Sequence, residues 1–168
     1  MKKIPNKNYV ILSLIILVTV FLTFYVRGWY ITSSEVYSGS SPLIDTVREI
    51  NRDEIDSYTV ESQKFILYVS SSDDDVRNFE RKFKRVIKKY DISDDVIYLN
   101  VDQAGDGFYD YLRGNFSLND KVGSKINPNI SSIYVFVEGK VSAVLNDAHI
   151  ASISDVQAFL KKWGFKNA

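Results

Sequence analysis

A strand–helix–strand pattern in the middle of the chain constrains the fold more than any other feature. Phe65 to Val69 and Val96 to Val101 are short, unbroken apolar runs, which are typical of strands buried on both faces of a sheet. Between them, apolar residues at spacings of three and four predict a helix with one buried stripe: Val76, Phe79, Phe83, Val86, Ile87 and Tyr90. Short connections then predict parallel strands joined by a right-handed crossover.

Helices are predicted on both sides of this unit. Apolar spacing predicts a helix over Leu43 to Ile50 and a helical turn through Asp53 to Tyr58. Gly107 to Phe116 is predicted as a further helix, followed by a polar loop over Ser117 to Asn129.

A hairpin and a last helix are predicted near the C-terminus. Two β-forming runs, Ser132 to Val137 and Lys140 to Leu145, are separated by the pair Glu138-Gly139, which is a hairpin signal. Ser154 and Gln157 have the spacing of a capping box. The helix that follows is predicted to bury Val156, Phe159, Leu160 and Trp163.

The uncharged run Tyr9 to Val26 predicts a membrane anchor. Leu, Ile, Val and Phe dominate it, and it is long enough to cross a bilayer as a helix, which takes roughly 17–25 residues. The alternative is a cleaved signal peptide, whose apolar region is usually shorter, about 7–15 residues, and precedes a small-residue cleavage site. The sequence Tyr25-Val26-Arg27-Gly28-Trp29 offers no such site. We therefore expect an uncleaved, single-pass anchor in contact with lipid.

The charges that flank this run predict its orientation. Lys2, Lys3 and Lys7 precede it and Arg27 follows it, so the N-terminus is expected in the cytoplasm and the C-terminal domain outside the cell membrane. Residues 31–42 are rich in Ser and Gly, as flexible linkers are. The predicted organisation is a cytoplasmic tail (1–8), a transmembrane anchor (9–26), a linker (27–42) and a folded domain (43–168).

Composition excludes several classes of function. The 168 residues contain no cysteine and one histidine, which rules out disulfides, thiol catalysis, cysteine-based zinc sites and histidine clusters. The 21 basic and 21 acidic residues cancel, whereas nucleic-acid-binding domains usually carry a basic excess. We therefore expect no nucleic-acid partner. No metal and no cofactor are predicted in the leading interpretation.

The order of these elements and one local motif resemble the thioredoxin-like superfamily over residues 43–168. Ile130-Ser131-Ser132, an apolar strand and Glu138-Gly139-Lys140 look like the thioredoxin stretch of Ile-Pro-Thr, an apolar strand and Asn/Asp-Gly-Lys. The resemblance implies an α/β fold, a three-layer sandwich with a mixed central sheet. In this chain one N-terminal transmembrane helix would precede it.

Two departures from the family pattern affect its chemistry. Ser131 stands where the family has a cis-proline, and a cis bond before another residue type costs about 2.5–4 kcal/mol, so we expect a trans bond there. Asp73-Asp74-Asp75-Val76 stands near the place of the Cys-x-x-Cys motif. Neither Asp nor Ser can replace the thiolate of thiol–disulfide exchange. The resemblance therefore implies the fold without the redox activity.

The leading functional hypothesis is a membrane-anchored, non-catalytic module that binds or scaffolds another envelope protein or an exported peptide. In thioredoxins, the edge that carries the redox site holds an extended chain near the cis-proline, which is a form of strand-like peptide capture. We name the corresponding surface here, together with the loop after Val101, the degenerate edge; its residues are Ser71, Ser72, Asp73, Asp74, Asp75, Ile130, Ser131 and Ser132.

Other interpretations remain open from the residues alone. The Asp73–Asp75 cluster either caps a helix or serves a metal-dependent hydrolase, and a third hypothesis is an immunity or accessory factor acting through the membrane helix.

His149 is expected to be a surface residue. The central helix has a basic set that forms either a solvated face or a site for an anionic partner: Arg77, Arg81, Lys82, Lys84, Arg85, Lys88 and Lys89.

Overall fold

A computed structural model of the protein describes residues 6–37, 40–128 and 131–165. The described residues form two compact units, one ending before residue 40 and the other beginning at Ser40.

The first unit is a single helix, α1 (Asn6–Tyr37), which contains the apolar run. Its described side chains, those of residues 11–27, are all exposed. The hydroxyls of Thr19 and Thr23 each donate a 2.8 Å hydrogen bond to the carbonyl four residues earlier. The helix continues through residues 31–37, which the sequence predicts as part of a linker. Within the residues that the structure describes, no helix has both the length and the hydropathy of a membrane span.

The second unit is a mixed five-stranded sheet, as far as the chain is described, with helices on both faces. The strands are β1 (Arg48–Glu49), β2 (Lys64–Ser70), β3 (Val96–Asn100), β4 (Ser131–Val137) and β5 (Lys140–Asn146). The helices are α2 (Ile55–Glu61), α3 (Asp74–Tyr90), α4 (Phe108–Phe116), α5 (Asp120–Gly123) and α6 (Ile153–Lys162). The strand order is β1-β3-β2-β4-β5; β1, β3 and β2 are parallel, and β4 and β5 are antiparallel to their neighbours.

The predicted strand–helix–strand unit is confirmed. β2 and β3 run parallel in the register Leu67↔Ile97, and α3 connects them. All six predicted stripe residues of α3 are buried. The crossover places α3 on one face of the sheet.

Alternation along the strands builds two cores, because successive side chains of a strand point to opposite faces. Ile66 and Tyr68 face α3 and α6, and we call this side the α3/α6 layer. Phe65 and Leu67 face the opposite side with α2 and α4, which we call the α2/α4 layer. There the Phe65 ring stacks on the ring of Phe136, with centroids 4.5 Å apart. The predicted three-layer arrangement is therefore present.

Two segments differ from prediction. The helix expected over Leu43 to Ile50 is wrong, because residues 42–46 form turns and β1 pairs with β3. Leu43, Val47 and Ile50 are nevertheless buried, so their spacing reported burial and not helical structure. The predicted polar loop over residues 117–129 contains the short helix α5 and the buried Ile126.

The hairpin is confirmed, and the start of the last helix is displaced. Glu138 (φ 51°) and Gly139 (φ 74°) both have left-handed backbone, as a type I′ hairpin turn requires. Ser152 caps α6, because its hydroxyl accepts a 3.2 Å hydrogen bond from the Asp155 amide. The predicted capping box is wrong, since Ser154 lies inside the helix. Of the predicted core residues, Val156 and Leu160 are buried and Phe159 and Trp163 are half-buried.

One substitution made at two glycines should have opposite effects. Gly139→Ala should lower the free energy of unfolding by about 1 kcal/mol, because the left-handed backbone strains any residue with a Cβ. Gly114→Ala should raise it by about 0.5–1 kcal/mol, since Gly114 lies within α4 and nothing stands within 4 Å of a Cβ there. Urea denaturation of both variants measures the difference. Equal effects of the two would contradict this account of the turn.

Candidate functional site

The strand ends bring most of the degenerate edge together. In the antiparallel pairing of β2 and β4, Ser70 is opposite Ser131 and Val69 is opposite Ser132. The chain leaves β2 at Ser70 and enters α3 at Asp74. The segment 71–73 therefore lies beside the start of β4. Ile130 lies outside the described residues, and so does the peptide bond that joins it to Ser131.

The loop after β3 is fastened to this segment by hydrogen bonds. The Ser72 amide donates to Asp102 Oδ2 at 2.8 Å, and Asn100 Nδ2 donates to Ser72 Oγ at 3.3 Å. The Asp102 amide in turn donates to Asn100 Oδ1 at 3.0 Å. The loop that the sequence assigns to the degenerate edge is thus in contact with it.

The aspartates at the start of α3 do not act as a simple cap. Asp73 occupies the N-cap position, but its side chain makes no capping hydrogen bond. Instead Asp73 Oδ2 accepts a 2.8 Å hydrogen bond from the Ser71 hydroxyl. Asp74 and Asp75 are exposed in the first turn, where the helix dipole favours negative charge.

Burial divides the degenerate edge into an accessible and an inaccessible part. Ser131 and Ser132 are fully buried, and Ser71 is 8% exposed. Ser72 and Asp73, Asp74 and Asp75 are exposed. A partner can therefore reach the side chains of residues 72–75, but not those of the three buried serines.

Ser131 holds the connection between β5 and α6. Its hydroxyl accepts a 3.0 Å hydrogen bond from the His149 amide and shares another, also 3.0 Å, with His149 Nδ1. Its carbonyl accepts a 3.1 Å hydrogen bond from the Ala148 amide. His149 is half-buried, so the histidine expected at the surface is only partly exposed. Sequence reasoning had no signal for this contact, because its partners are 18 positions apart.

Ser132 points to the other side of the sheet. Its hydroxyl is 3.3 Å from Asn146 Oδ1, and Asn146 Nδ2 donates to the Lys125 carbonyl at 2.8 Å. These contacts join the start of β4 to the end of β5 and to the segment after α5.

A cleft of about 460 Å³ lies between the loop after β3 and the segment that leads to β4. It is lined by Val101, Gly105, Asp106, Gly107, Phe108, Tyr109, Asp110, Arg113 and Pro128. Burial and the negative charge of Asp102 raise the pKa of the Tyr109 hydroxyl to about 12. Val101 lines the cleft, and the next residue, Asp102, accepts the hydrogen bond from the Ser72 amide, so the cleft and the accessible part of the degenerate edge share the loop after β3.

A buried carboxylate lies on the other side of the end of β2. Glu80 is 0% exposed and accepts hydrogen bonds from three side chains. Ser70 Oγ donates to its Oε1 at 2.7 Å, and its Oε2 accepts from Arg77 at 2.7 Å and from Ser41 at 2.9 Å. We call these four residues the Glu80 cluster. It joins the segment before β1, the end of β2 and the first half of α3.

The Glu80 cluster corrects one prediction from the sequence. Arg77 is 4% exposed and so does not belong to the basic solvent-facing set of α3. Burial lowers the pKa of Arg77, but the hydrogen bond and the charge of Glu80 outweigh it and leave the pKa above its ordinary value. A signal was present in the sequence: Glu80 follows Val76 by four positions and precedes Phe83 by three, which places it on the apolar stripe.

No metal site is found among the residues described: no group of three or more His, Asp or Glu side chains there is arranged to hold an ion. Asp73, Asp74 and Asp75 are the residues that the hydrolase hypothesis requires, and nothing in their arrangement supports it.

Comparison with known proteins identifies the fold. Neither the protein-family models nor the curated proteins include a match. Among solved structures, mitochondrial thioredoxin 3 from Saccharomyces cerevisiae is similar with a TM-score of 0.50 and 9% identity, over 71% of this chain and 98% of that one. A thioredoxin from Plasmodium falciparum has a TM-score of 0.50 and 16% identity, over 70% of this chain and all of that one (100%).

A third similar structure is thioredoxin f2 from Chlamydomonas reinhardtii, with a TM-score of 0.50 and 8% identity over 72% of this chain and 99% of that one. The chain therefore has the thioredoxin-like fold, as the resemblance predicted. Identities this low establish the fold alone. Thioredoxin chemistry does not follow from it, because this sequence contains no cysteine.

Removal of Glu80 should lower the free energy of unfolding, and removal of Arg77 as well should restore most of it. Glu80→Leu should destabilise the domain by about 3–5 kcal/mol, because it removes the carboxylate that pairs with the buried Arg77 charge. The double variant Arg77→Met/Glu80→Leu removes both charges and should recover most of that loss. Urea denaturation of the two variants and the parent measures this. A double variant as unstable as Glu80→Leu would show that the ion pair is not what the single substitution breaks.

Alkaline pH should destabilise the fold through its tyrosines. Burial raises the pKa of Tyr68, Tyr98, Tyr109 and Tyr134 above the ordinary value of 10. The folded state therefore favours the protonated phenols, so their contribution is complete below pH 10 and is lost as the pH rises through the folded pKa values. Urea midpoints between pH 8 and pH 12 measure the loss, and tyrosinate absorbance follows the ionisation. Titration of all tyrosines near pH 10 in the folded protein would contradict it.

Proposed function

We propose that the protein is a membrane-anchored, non-catalytic thioredoxin-like module that binds an extended segment of another envelope protein or of an exported peptide. The observation that carries this proposal is the cleft beside the degenerate edge. An extended chain laid in it would meet the loop after β3 and Pro128, and Ser72 is hydrogen-bonded to that loop. Affinity would come from contacts along the backbone and from side chains seated in the cleft.

The accessible surface favours a particular kind of partner. Asp73, Asp74 and Asp75 are exposed, and Asp106 lines the cleft. Asp110 also lines it but is paired at 2.8 Å with Arg113. Complementary charge steers partners and fixes their register. The bound segment is therefore expected to carry Lys or Arg residues beside an apolar residue that packs against Phe108 or Tyr109.

The proposed anchor rests on the sequence of residues 9–26. The run is apolar and uncharged, and α1 continues through all of it. Three lysines before it favour an N-terminus in the cytoplasm and a domain outside the cell membrane. Anchoring would confine the module to partners at the same membrane.

Photo-crosslinking in the cells that produce the protein tests this function. Two variants, one with a photoreactive residue in place of Ser72 and one with it in place of Tyr109, should give the same dominant product, because both positions would face the bound segment. The matched control is Lys162, which is exposed at the end of α6 and should give none. Ser131 is unsuitable because it is fully buried.

Two further variants separate the cleft from the anchor. Tyr109→Ala removes one wall of the cleft and should reduce the crosslink from Ser72 at least tenfold, whereas Lys121→Ala should leave it unchanged. Replacement of residues 9–26 by an unrelated anchor should also leave it unchanged. Loss of the product with the replaced anchor would favour action through the membrane helix, and equal products from Ser72 and Lys162 would refute docking at the degenerate edge.

A further inference from the structure

A second surface, on the α3/α6 layer, has the composition of a ligand site. A groove of about 320 Å³ between α3 and α6 is lined by Lys82, Arg85, Val86, Lys89, Ile153 and Gln157. Val86 is buried and Ile153 half-buried, whereas Lys82, Arg85 and Lys89 are exposed. The groove thus combines an apolar base with three cations on one face of α3.

No acidic side chain among the described residues pairs with these cations. Within residues 40–128 and 131–165, Lys82, Arg85 and Lys89 have no ion pair with an acidic side chain, whereas Lys84 on the same helix lies 2.7 Å from Asp45 Oδ1. Arg85 and Lys89 are four positions apart, and like charges at this spacing destabilise a helix. The repulsion would be relieved by an anion bound in the groove.

The charge of the domain is divided between its two layers. α3 carries the basic set, and the helical segment of residues 52–61 on the opposite side of the sheet is acidic, with Asp53, Glu54, Asp56 and Glu61 against Arg52. The formal net charge of zero, which is that of the whole chain, does not show this asymmetry within the domain. Near an anionic surface, such a distribution turns the α3/α6 layer toward that surface.

The apolar base distinguishes between the anions that could bind. A nucleic acid or an anionic wall polymer would neutralise the three cations but leave Val86 and Ile153 uncovered. A stable protein complex needs about 800 Å² on each partner, which is far more than this groove provides. A phospholipid presents a phosphate and the adjoining hydrocarbon together, and so matches both parts of the lining.

We propose that this groove docks the domain on the surface of a membrane that contains anionic phospholipid. Lys82, Arg85 and Lys89 contact the headgroup phosphates, and Val86 and Ile153 contact the first part of the acyl region. Each Lys or Arg near an anionic membrane changes binding about fivefold, so the three together contribute on the order of 100-fold. High salt weakens the docking because it screens these charges. The site is separate from the degenerate edge and does not depend on its function.

Site-specific fluorescence on the full chain tests the proposal. The chain contains no cysteine, so Ala158→Cys on α6 and Ser57→Cys on α2 each give a unique labelling position, and both positions are exposed. The labelled protein is placed in nanodiscs of phosphatidylcholine, with or without about 30% phosphatidylglycerol, that contain a headgroup quencher. Phosphatidylglycerol should increase quenching at position 158 but not at position 57, and 0.5 M NaCl should reverse it.

Charge variants supply the matched control. Lys82→Gln/Arg85→Gln/Lys89→Gln should lower the ratio of quenched to unquenched label about 100-fold. Lys121→Gln/Lys125→Gln/Lys140→Gln removes the same charge away from the groove and should leave the ratio unchanged. Equal quenching in both lipid mixtures, equal effects of the two triple variants, or stronger quenching at position 57 would overturn the proposal. Binding of soluble polyphosphate that lipid cannot displace would also overturn the proposal.

Discussion

The hydrogen bonds of the buried Glu80 carboxylate are the interaction on which the arrangement of the domain depends. The carboxylate accepts hydrogen bonds from Ser41, Ser70 and Arg77, which belong to three separate segments of the chain. A buried charge is tolerated only when it is paired and hydrogen-bonded, so these segments are held in one relative position. Since Ser70 is the last residue of β2, the cluster also fixes where the chain leaves the sheet for the degenerate edge.

At the degenerate edge, where thioredoxins carry their redox site, this chain has hydrogen bonds between loops. Ser72 is tied to Asp102, and Ser131 is tied to His149 and Ala148. The bonds of Ser131 satisfy polar groups that would otherwise be buried without partners, whereas the bond between Ser72 and Asp102 is exposed. These hydrogen bonds hold the loops of the edge in place although the chain has no thiol. A preorganised surface of this kind favours binding, because it loses little conformational entropy when a partner binds.

The two proposed surfaces differ in charge, although both include residues of α3. The degenerate edge and its cleft are bordered by aspartates, whereas the groove between α3 and α6 is bordered by Lys82, Arg85 and Lys89. A basic segment would bind the degenerate edge and an anionic membrane would bind the groove, so the two would not compete for the same surface. One domain could rest on the membrane through the α3/α6 layer while the edge stays accessible to a partner.

The sequence by itself determined the strand–helix–strand unit, the hairpin and the absence of thiol chemistry, because local periodicity, turn residues and composition are sufficient for these. Only the tertiary structure decided that Leu43 to Ile50 is turn and strand, since apolar spacing reports burial and β1 exists only through its pairing with β3. It also decided that Arg77 and Ser131 are buried. Ser131 contacts His149, 18 positions away, and such a contact leaves no local pattern in the sequence. Arg77 pairs with Glu80 on its own helix, and its burial follows from how that helix packs on the sheet.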